Sequence, residues 1–218
     1  MRSDLYGIYG VGGYGRQVMP VARKWLLAHN PTGELLFVDD HADHEYVNGH
    51  EVISFNEFIQ REAVNKHIAI AIANSKVREQ IADQLKQHQI KPWAIKDSSV
   101  IIMDDVEIGE GSIFNPFVLL TSNIRIGRYF QANYHSHVAH DCVIGDFVTF
   151  APGVRCNGNV VIEDHAYIGT GAMLRQGTPD NPLVIGKNAV VGMGAVVTKD
   201  VPPNTTVVGN PARPLVKT

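Results

Sequence analysis

The stretch VAHDCVIGDFVTFAPGVRCNGNVVI, residues 138–162, decides the fold. Taken in steps of six it reads Val138, Ile144, Phe150, Cys156 and Ile162, an apolar residue at every step. Extended both ways, the register runs through Ile102, Ile108, Phe114, Leu120, Ile126, Ala132, Val138, Ile144, Phe150, Cys156, Ile162, Ile168 and Leu174 without a polar interruption. It then slips by five residues through GTPDNP and resumes at Ile185, Val191 and Val197, so the slip reads as a loop inserted into one coil. Two residues before each anchor the side chains are again mostly small or apolar, as in Val118, Cys142, Val148 and Ala166. A helix would repeat near 3.6 residues and a sandwich would turn every 8 to 12, roughly; a strict six fits neither. Three short flat strands per turn of a coil would stack these anchors into ladders, each turn needing its neighbours to bury its core. Glycine follows many anchors, as in Ile126-Gly127 and Ile144-Gly145, and is expected where a tight corner leaves no room for a Cβ.

Ahead of the repeat the pattern changes. Over residues 5 to 95 the apolar runs LYGIY, ELLFV and HIAIAIA alternate with helical segments near 14–28, 54–60 and 75–88, which predicts a small parallel sheet with helices on its faces. The expected organisation is an α/β half-Rossmann domain over 1–97, followed by a coil of stacked parallel strands over 98–218. An apolar fraction of 44% is enough for a core, and a net charge of -3 offers no excess of cations for a nucleic-acid backbone. Nothing approaches the roughly eighteen consecutive apolar residues of a membrane span, and the first residues do not resemble a signal peptide. No membrane insertion and a cytoplasmic location are therefore expected. Two cysteines, Cys142 and Cys156, cannot make a disulfide framework or a four-cysteine zinc site.

YGVGGYGRQV, residues 9–18, follows an apolar strand and opens a helix. Gly10, Gly12, Gly13 and Gly15 would let the backbone approach a phosphate, and Asp39 and Asp40 end the next strand, where a ribose-binding acid would lie. There is room for one mononucleotide-binding half only, so a single diphosphate on the helix N-terminus fits better than a dinucleotide.

The repeat, together with the stretch GMGAVVTKDVPPNTTVVGNPAR at 192–213, resembles the hexapeptide-repeat left-handed β-helix of bacterial acyltransferases. With the small nucleotide-binding front domain, the chain looks like the sialic-acid O-acetyltransferase type, and within it like bacterial nucleotide-sugar N-acetyltransferases of the UDP-N-acetylbacillosamine kind. That resemblance implies an acetyl-CoA-dependent homotrimer with active sites in the clefts between neighbouring β-helices. It implies acetylation of the 4-amino group of a UDP-linked amino-deoxy sugar, for surface-glycan or protein-glycosylation precursors. By the same resemblance Gly12, Gly13, Tyr14, Gly15, Asp39, Asp40 and Asn74 of AIANSKVR (71–78) line the nucleotide-sugar pocket. Family members commonly carry His where this loop has Tyr14, a neutral side chain that can only hydrogen-bond.

With Val138 inward, His140 is expected at a corner, its side chain outward. Attack of an amine on a thioester requires loss of a proton, and a neutral imidazole is suited to take it; Asp141 can orient the ring. The family carries its base on a His-acid-Cys-x-Ile-Gly motif, matched by His140 to Gly145, and Asn133 matches an Asn that helps place the substrate. Cys142 and Cys156 fall on inward positions, so no acyl-cysteine is expected. Gly158 is the candidate backbone donor to the oxyanion; Thr170, Gly171 and Gly192 would lie along the pantetheine, and Lys187, Lys199 and Arg213 near the CoA phosphates. No metal is expected. His135, His137 and His140 with Asp141 could be read as zinc ligands, as in carbonic anhydrases of this fold, but strand alternation turns His135 and His137 away from the His140 corner. His137 and His165 are expected as exposed or interface-packed polar residues. Sugar O-acetylation, zinc-dependent hydration and a non-catalytic sugar-nucleotide sensor are the alternative readings.

Overall fold

The structure, a computed structural model, describes residues 3–215. The chain divides into two compact units, Met1–Asp97 and Ser98–Thr218.

In the first unit the order is β1 (Leu5–Tyr9), α1 (Gly13–His29), β2 (Glu34–Val38), β3 (Tyr46–Val47), β4 (His50–Ile53), α2 (Phe55–Gln60), β5 (Lys66–Ile70), α3 (Ser75–Gln87) and β6 (Lys91–Pro92). They form one sheet in the order β3-β4-β2-β1-β5-β6. All its pairings are parallel except the β3–β4 hairpin. Strand β1 is central and buried along its whole length, which is why LYGIY is a continuous apolar run rather than an alternating one. Two details depart from the sequence reading. The hairpin at Tyr46–Ile53 was not expected, and the third apolar run ends as a strand at Ile70, four residues into HIAIAIA.

The second unit is the expected coil. Successive short strands fall into three parallel ladders, and partners within a ladder are one coil apart: Leu120 pairs with Val138, Val138 with Cys156, Cys156 with Leu174, and Leu174 with Val197. The anchors stack inside, forming one core that includes Phe114, Leu120, Val138, Ile144, Phe150, Cys156, Ile162, Ile168 and Leu174. The first coils are the exception: Ile108 is 36% exposed and Ile102 only partly buried. The strand of Ile108 ends its ladder, so no further strand of that ladder stacks on its far side among the described residues. The C-terminal segment closes the other end, Val207 pairing antiparallel with Pro214.

The corners bear out the expected crowding at glycine and show its source. The left-handed residue of each corner stands three positions after the anchor: Asp105, Asn123, Tyr129, His135, Asp141, Phe147, Asn159 and His165 all have φ between 51° and 65°. The glycine just after the anchor stands where the next coil stacks. A Cβ on Gly127 would lie 2.7 Å from the Asp146 backbone nitrogen of the next coil, and one on Gly145 the same distance from that of Asp164. Left-handed backbone costs an L-residue roughly 1–2 kcal/mol, and side-chain stacking from coil to coil offsets part of it. Tyr129 and Phe147 lie 5.3 Å apart and nearly parallel, as do Phe147 and His165.

Candidate active site

Each coil has three edges. The edge that follows the second ladder (101–102, 119–120, 137–138, 155–156, 173–174 and 196–197) carries His140 and Asp141. His140 Nδ1 lies 2.7 Å from Asp141 Oδ2, with side chains 47% and 45% exposed. The left-handed backbone of Asp141, φ 58°, turns the carboxylate back beside the imidazole of its own neighbour. A second bond holds the same carboxylate, because Asn123 Nδ2 of the preceding coil donates to Oδ1 at 3.1 Å. Hydrogen bonding from His140 first, and from Asn123 second, holds the Asp141 carboxyl below its ordinary value, so it stays ionised beside the ring.

Gly158, one coil further, forms the floor. A Cβ there would stand 2.5 Å from Cε1, 2.6 Å from Nε2 and 2.9 Å from Nδ1 of His140, so the ring can lie where it does only over a glycine. The sequence offered Gly158 as an oxyanion donor; its most direct relation in this structure is to the imidazole. Behind the corner, Cys142 and Cys156 are fully buried with sulfurs 4.0 Å apart. The hydrogen bond with Cys142, together with burial, pushes the Cys156 thiol well above its usual value, which suits a core side chain and not a nucleophile.

The other histidines of the motif separate. His135 sits at a different edge, stacked on Phe117 at 4.8 Å. His137 lies half-buried in a strand, where desolvation and then Arg155 lower its pKa. His165, expected as exposed or interface-packed, is 7% exposed and stacked on Phe147, because the aromatic column at that edge continues through it. Among the described residues no group of three or more His, Cys, Asp or Glu side chains converges as metal ligands would.

The residues expected to hold acetyl-CoA fall on all three edges. Lys199 stands two positions after its anchor, as His140 does, and so shares its edge three coils later. It borders a cavity of about 200 Å³ together with Asp200, Val201 and Arg213. The loop inserted after Leu174 leaves from this same edge, Gly177 N donating to Gly158 O at 2.9 Å. Asn133, Thr170, Gly171 and Gly192 follow strands of the first ladder and lie on the next edge. Lys187 is on the third, its ammonium 3.2 Å from Asp164. A single coil does not bring His140 and Thr170 together.

In the first unit the glycine loop is braced from below. Gly10 has φ +103°, Val11 N donates to Asp39 Oδ2 at 2.9 Å, and His41 N donates to Asp39 Oδ1 at 3.0 Å. Asp40 takes the Tyr9 hydroxyl on Oδ2 and Phe55 N, at the start of α2, on Oδ1. Desolvation first, then the bond to Asp40, raises the Tyr9 phenol pKa strongly. Open space stands where Cβ atoms on Gly12 and Gly13 would be, and α1 has no side-chain cap, so its positive end is presented bare. Gly15 answers to packing: a Cβ there would stand 1.8 Å from Gly10 O. Asn74 caps α3, accepting from Lys76 N and Val77 N. Tyr14 is partly buried. The sequence did not single out Arg78, which is fully buried and donates to Ile72 O at 2.7 Å and Ala73 O at 3.3 Å. Desolvation draws its pKa down to about 10.

Comparison with known proteins places this geometry in context. Residues 7–85 match the family described as the PglD N-terminal domain. The chain is 48% identical over 184 residues, 84% of its length and 83% of the relative's, to GDP-perosamine N-acetyltransferase of Escherichia coli O157:H7. Among solved structures it is similar to WeeI from Acinetobacter baumannii AYE, with 54% identity, TM-score 0.94, and coverage of 98% of this chain and 100% of that one. It is also similar to the acetyltransferase domain of PglB from Neisseria gonorrhoeae FA1090 in complex with acetyl coenzyme A, at 28% identity and TM-score 0.84, over 98% and 100% of the two chains.

Proposed function

Because the chain belongs to the hexapeptide-repeat N-acetyltransferases that modify nucleotide-linked amino sugars, we propose that it transfers the acetyl group of acetyl-CoA to the 4-amino group of a UDP-linked amino-deoxy sugar, a precursor for glycan assembly, with His140 as general base. The observation that carries the reading is the 2.7 Å contact between His140 Nδ1 and Asp141 on an exposed edge. With Nδ1–H donated to a carboxylate, the other nitrogen, Nε2, keeps the lone pair that a base requires. The sugar amine attacks the thioester carbonyl carbon, the C–N bond forms, and its excess proton passes to Nε2. The C–S bond then breaks and the imidazolium returns the proton to the departing thiolate, so no covalent enzyme intermediate is needed. The complete burial of Cys142 and Cys156 agrees with this.

The bare α1 N-terminus, with Gly12 and Gly13 beneath open space, would take the diphosphate, and Tyr14 would contact it through its hydroxyl. Asp39 and Asp40 would contribute mainly by fixing the loop, since each carboxylate oxygen already accepts a hydrogen bond. Lys199 and Arg213 would meet the CoA phosphates, and Thr170, Gly171 and Gly192 the pantetheine. Since Thr170, Gly171 and Gly192 lie on a different edge from His140 while Lys199 shares its edge, a complete site calls for a second copy, and a homotrimer with active sites between neighbouring prisms is the arrangement that supplies it at every edge.

A second reading of the nucleotide is favoured by one finding: the relative at 48% identity is named for GDP-perosamine. The test is acetyl-CoA consumption with UDP- and GDP-linked 4-amino sugars and their 4-hydroxy counterparts. Turnover of the UDP-amino sugar supports the first reading, turnover of the GDP-amino sugar alone replaces it with the second, and turnover of the hydroxy sugars alone overturns N-acetylation. His140→Ala is expected to abolish turnover while leaving nucleotide binding intact; retained turnover removes His140 from the base role.

A further inference from the structure

Asn123 takes no part in the reaction as described, yet it is the third member of a hydrogen-bonded row on the edge that carries His140. Its backbone and that of Asp141 adopt the same left-handed corner, with φ 58° at each. Because one coil separates them, their side chains rise from stacked positions. Asn123 Nδ2 donates to Asp141 Oδ1 at 3.1 Å, and Asp141 Oδ2 meets His140 Nδ1 at 2.7 Å. Each carboxylate oxygen therefore has its own partner. An aspartate on an exposed corner, with nothing on Oδ1, would be free to rotate about χ2 and lose the imidazole, since terminal sp³–sp² torsions are broad. The amide removes that freedom. It is also the right functional group: a carboxylate at this position would offer only acceptors and repel Asp141, whereas an amide nitrogen donates.

We propose that Asn123 is a positioning residue for acetyl transfer, acting through Asp141 to keep the His140 ring oriented with Nδ1 toward the carboxylate and Nε2 toward the amine. This rests on His140 as the base. A purely architectural role for Asn123 is the competing explanation, because Asn tolerates a left-handed corner better than most residues. Glycine tolerates it better still, so Asn123→Gly preserves the corner and deletes only the amide. Asn123→Asp preserves shape and corner and replaces the donor by a charged acceptor.

The experiment compares kcat and KM for both substrates in Asn123→Gly, Asn123→Asp, Asp141→Ala and the Asn123→Gly/Asp141→Ala pair, with thermal melts as control. The expected result is wild-type melting, a roughly tenfold fall in kcat for each Asn123 variant, the scale of coupling within one hydrogen-bonded network, unchanged KM values, and no further loss when Asn123→Gly is added to Asp141→Ala. Unchanged kcat in Asn123→Gly overturns the proposal, and so does an equal fall whether or not Asp141 is present. His140→Ala in the same series keeps the two ideas apart: an active His140→Ala sinks the base assignment, while an inactive one beside a fully active Asn123→Gly sinks the role of Asn123 alone.

Discussion

Replacing Gly158 by alanine tests the geometry of the proposed base without touching any of its polar partners. The added methyl would sit 2.5 Å from Cε1 of His140, where ordinary contact begins at 3.4 Å, so the ring must retreat by the difference, 0.9 Å. The backbone has no objection, since Gly158 is not among the positive-φ glycines. The retreat falls on the 2.7 Å bond to Asp141. Lengthened by most of that displacement, it passes beyond the range of a hydrogen bond, about 3.2 Å for nitrogen and oxygen. Misplacement of a reacting group by about 1 Å can cost on the order of 100-fold, equivalent to about 2.7 kcal/mol of barrier. The assay is steady-state acetyl transfer, with His140→Ala as the floor. Gly158→Ala is expected to lower kcat by about two orders of magnitude while the melting temperature and the KM for the nucleotide sugar hold. A Gly158→Ala enzyme with wild-type kcat would refute the reasoning, because it would mean that the base works from some other ring position.

Two further predictions concern the first unit, where both tryptophans, Trp25 and Trp93, report unfolding by fluorescence. Gly15→Ala forces a methyl to within 1.8 Å of Gly10 O, and overpacking of this kind is expected to cost roughly 3 kcal/mol, read as a lower urea midpoint; an unmoved midpoint would show that α1 shifts freely on β1. Tyr9 has a folded pKa raised above its ordinary value of 10.0. The unfolded phenol therefore ionises first, so the stability Tyr9 contributes is present below that pH and is lost as pH rises beyond it. Tyr9→Phe should be less stable near neutrality, with Asp40 Oδ2 deprived of its donor, and should show a shallower alkaline loss than wild type. Equal alkaline slopes in urea titrations would contradict the assignment.

The coil was legible because its core is one-dimensional: a buried ladder demands an apolar side chain at each step, and Val138, Ile144, Phe150 and Cys156 satisfy it in plain sequence. The helices and central strands of the first unit were legible for similar reasons of period. The hairpin at Tyr46–Ile53 was missed although its signal was present, since Asn48-Gly49 between two strands, with φ of 51° and 79°, is the dipeptide a tight hairpin turn asks for. The corners were opaque for a different reason. Their left-handed positions are filled by Asp, Asn, Tyr, His, Phe or Gly according to what stacks above and below, and that neighbour is a full coil away in sequence. For the same reason the bond from Asn123 to Asp141, the place of Gly158 under the imidazole and the burial of His165 could not be read locally. The candidate motif, His140-Asp141, was visible as chemistry, but which of its neighbours hold it in place was not.

The loop inserted after Leu174 shows what such a scaffold tolerates. Despite the extra residues, Leu174 still pairs with Val197, and Val160 with Leu183, as if nothing had intervened. The walls of the prism transmit register, whereas its vertices do not. Chain length can therefore drift at the vertex bearing His140, the proposed base, while the hydrogen-bonded walls stay unaltered. A designer seeking altered acceptor selectivity would graft there first, and would expect the thread of the screw to run on undisturbed.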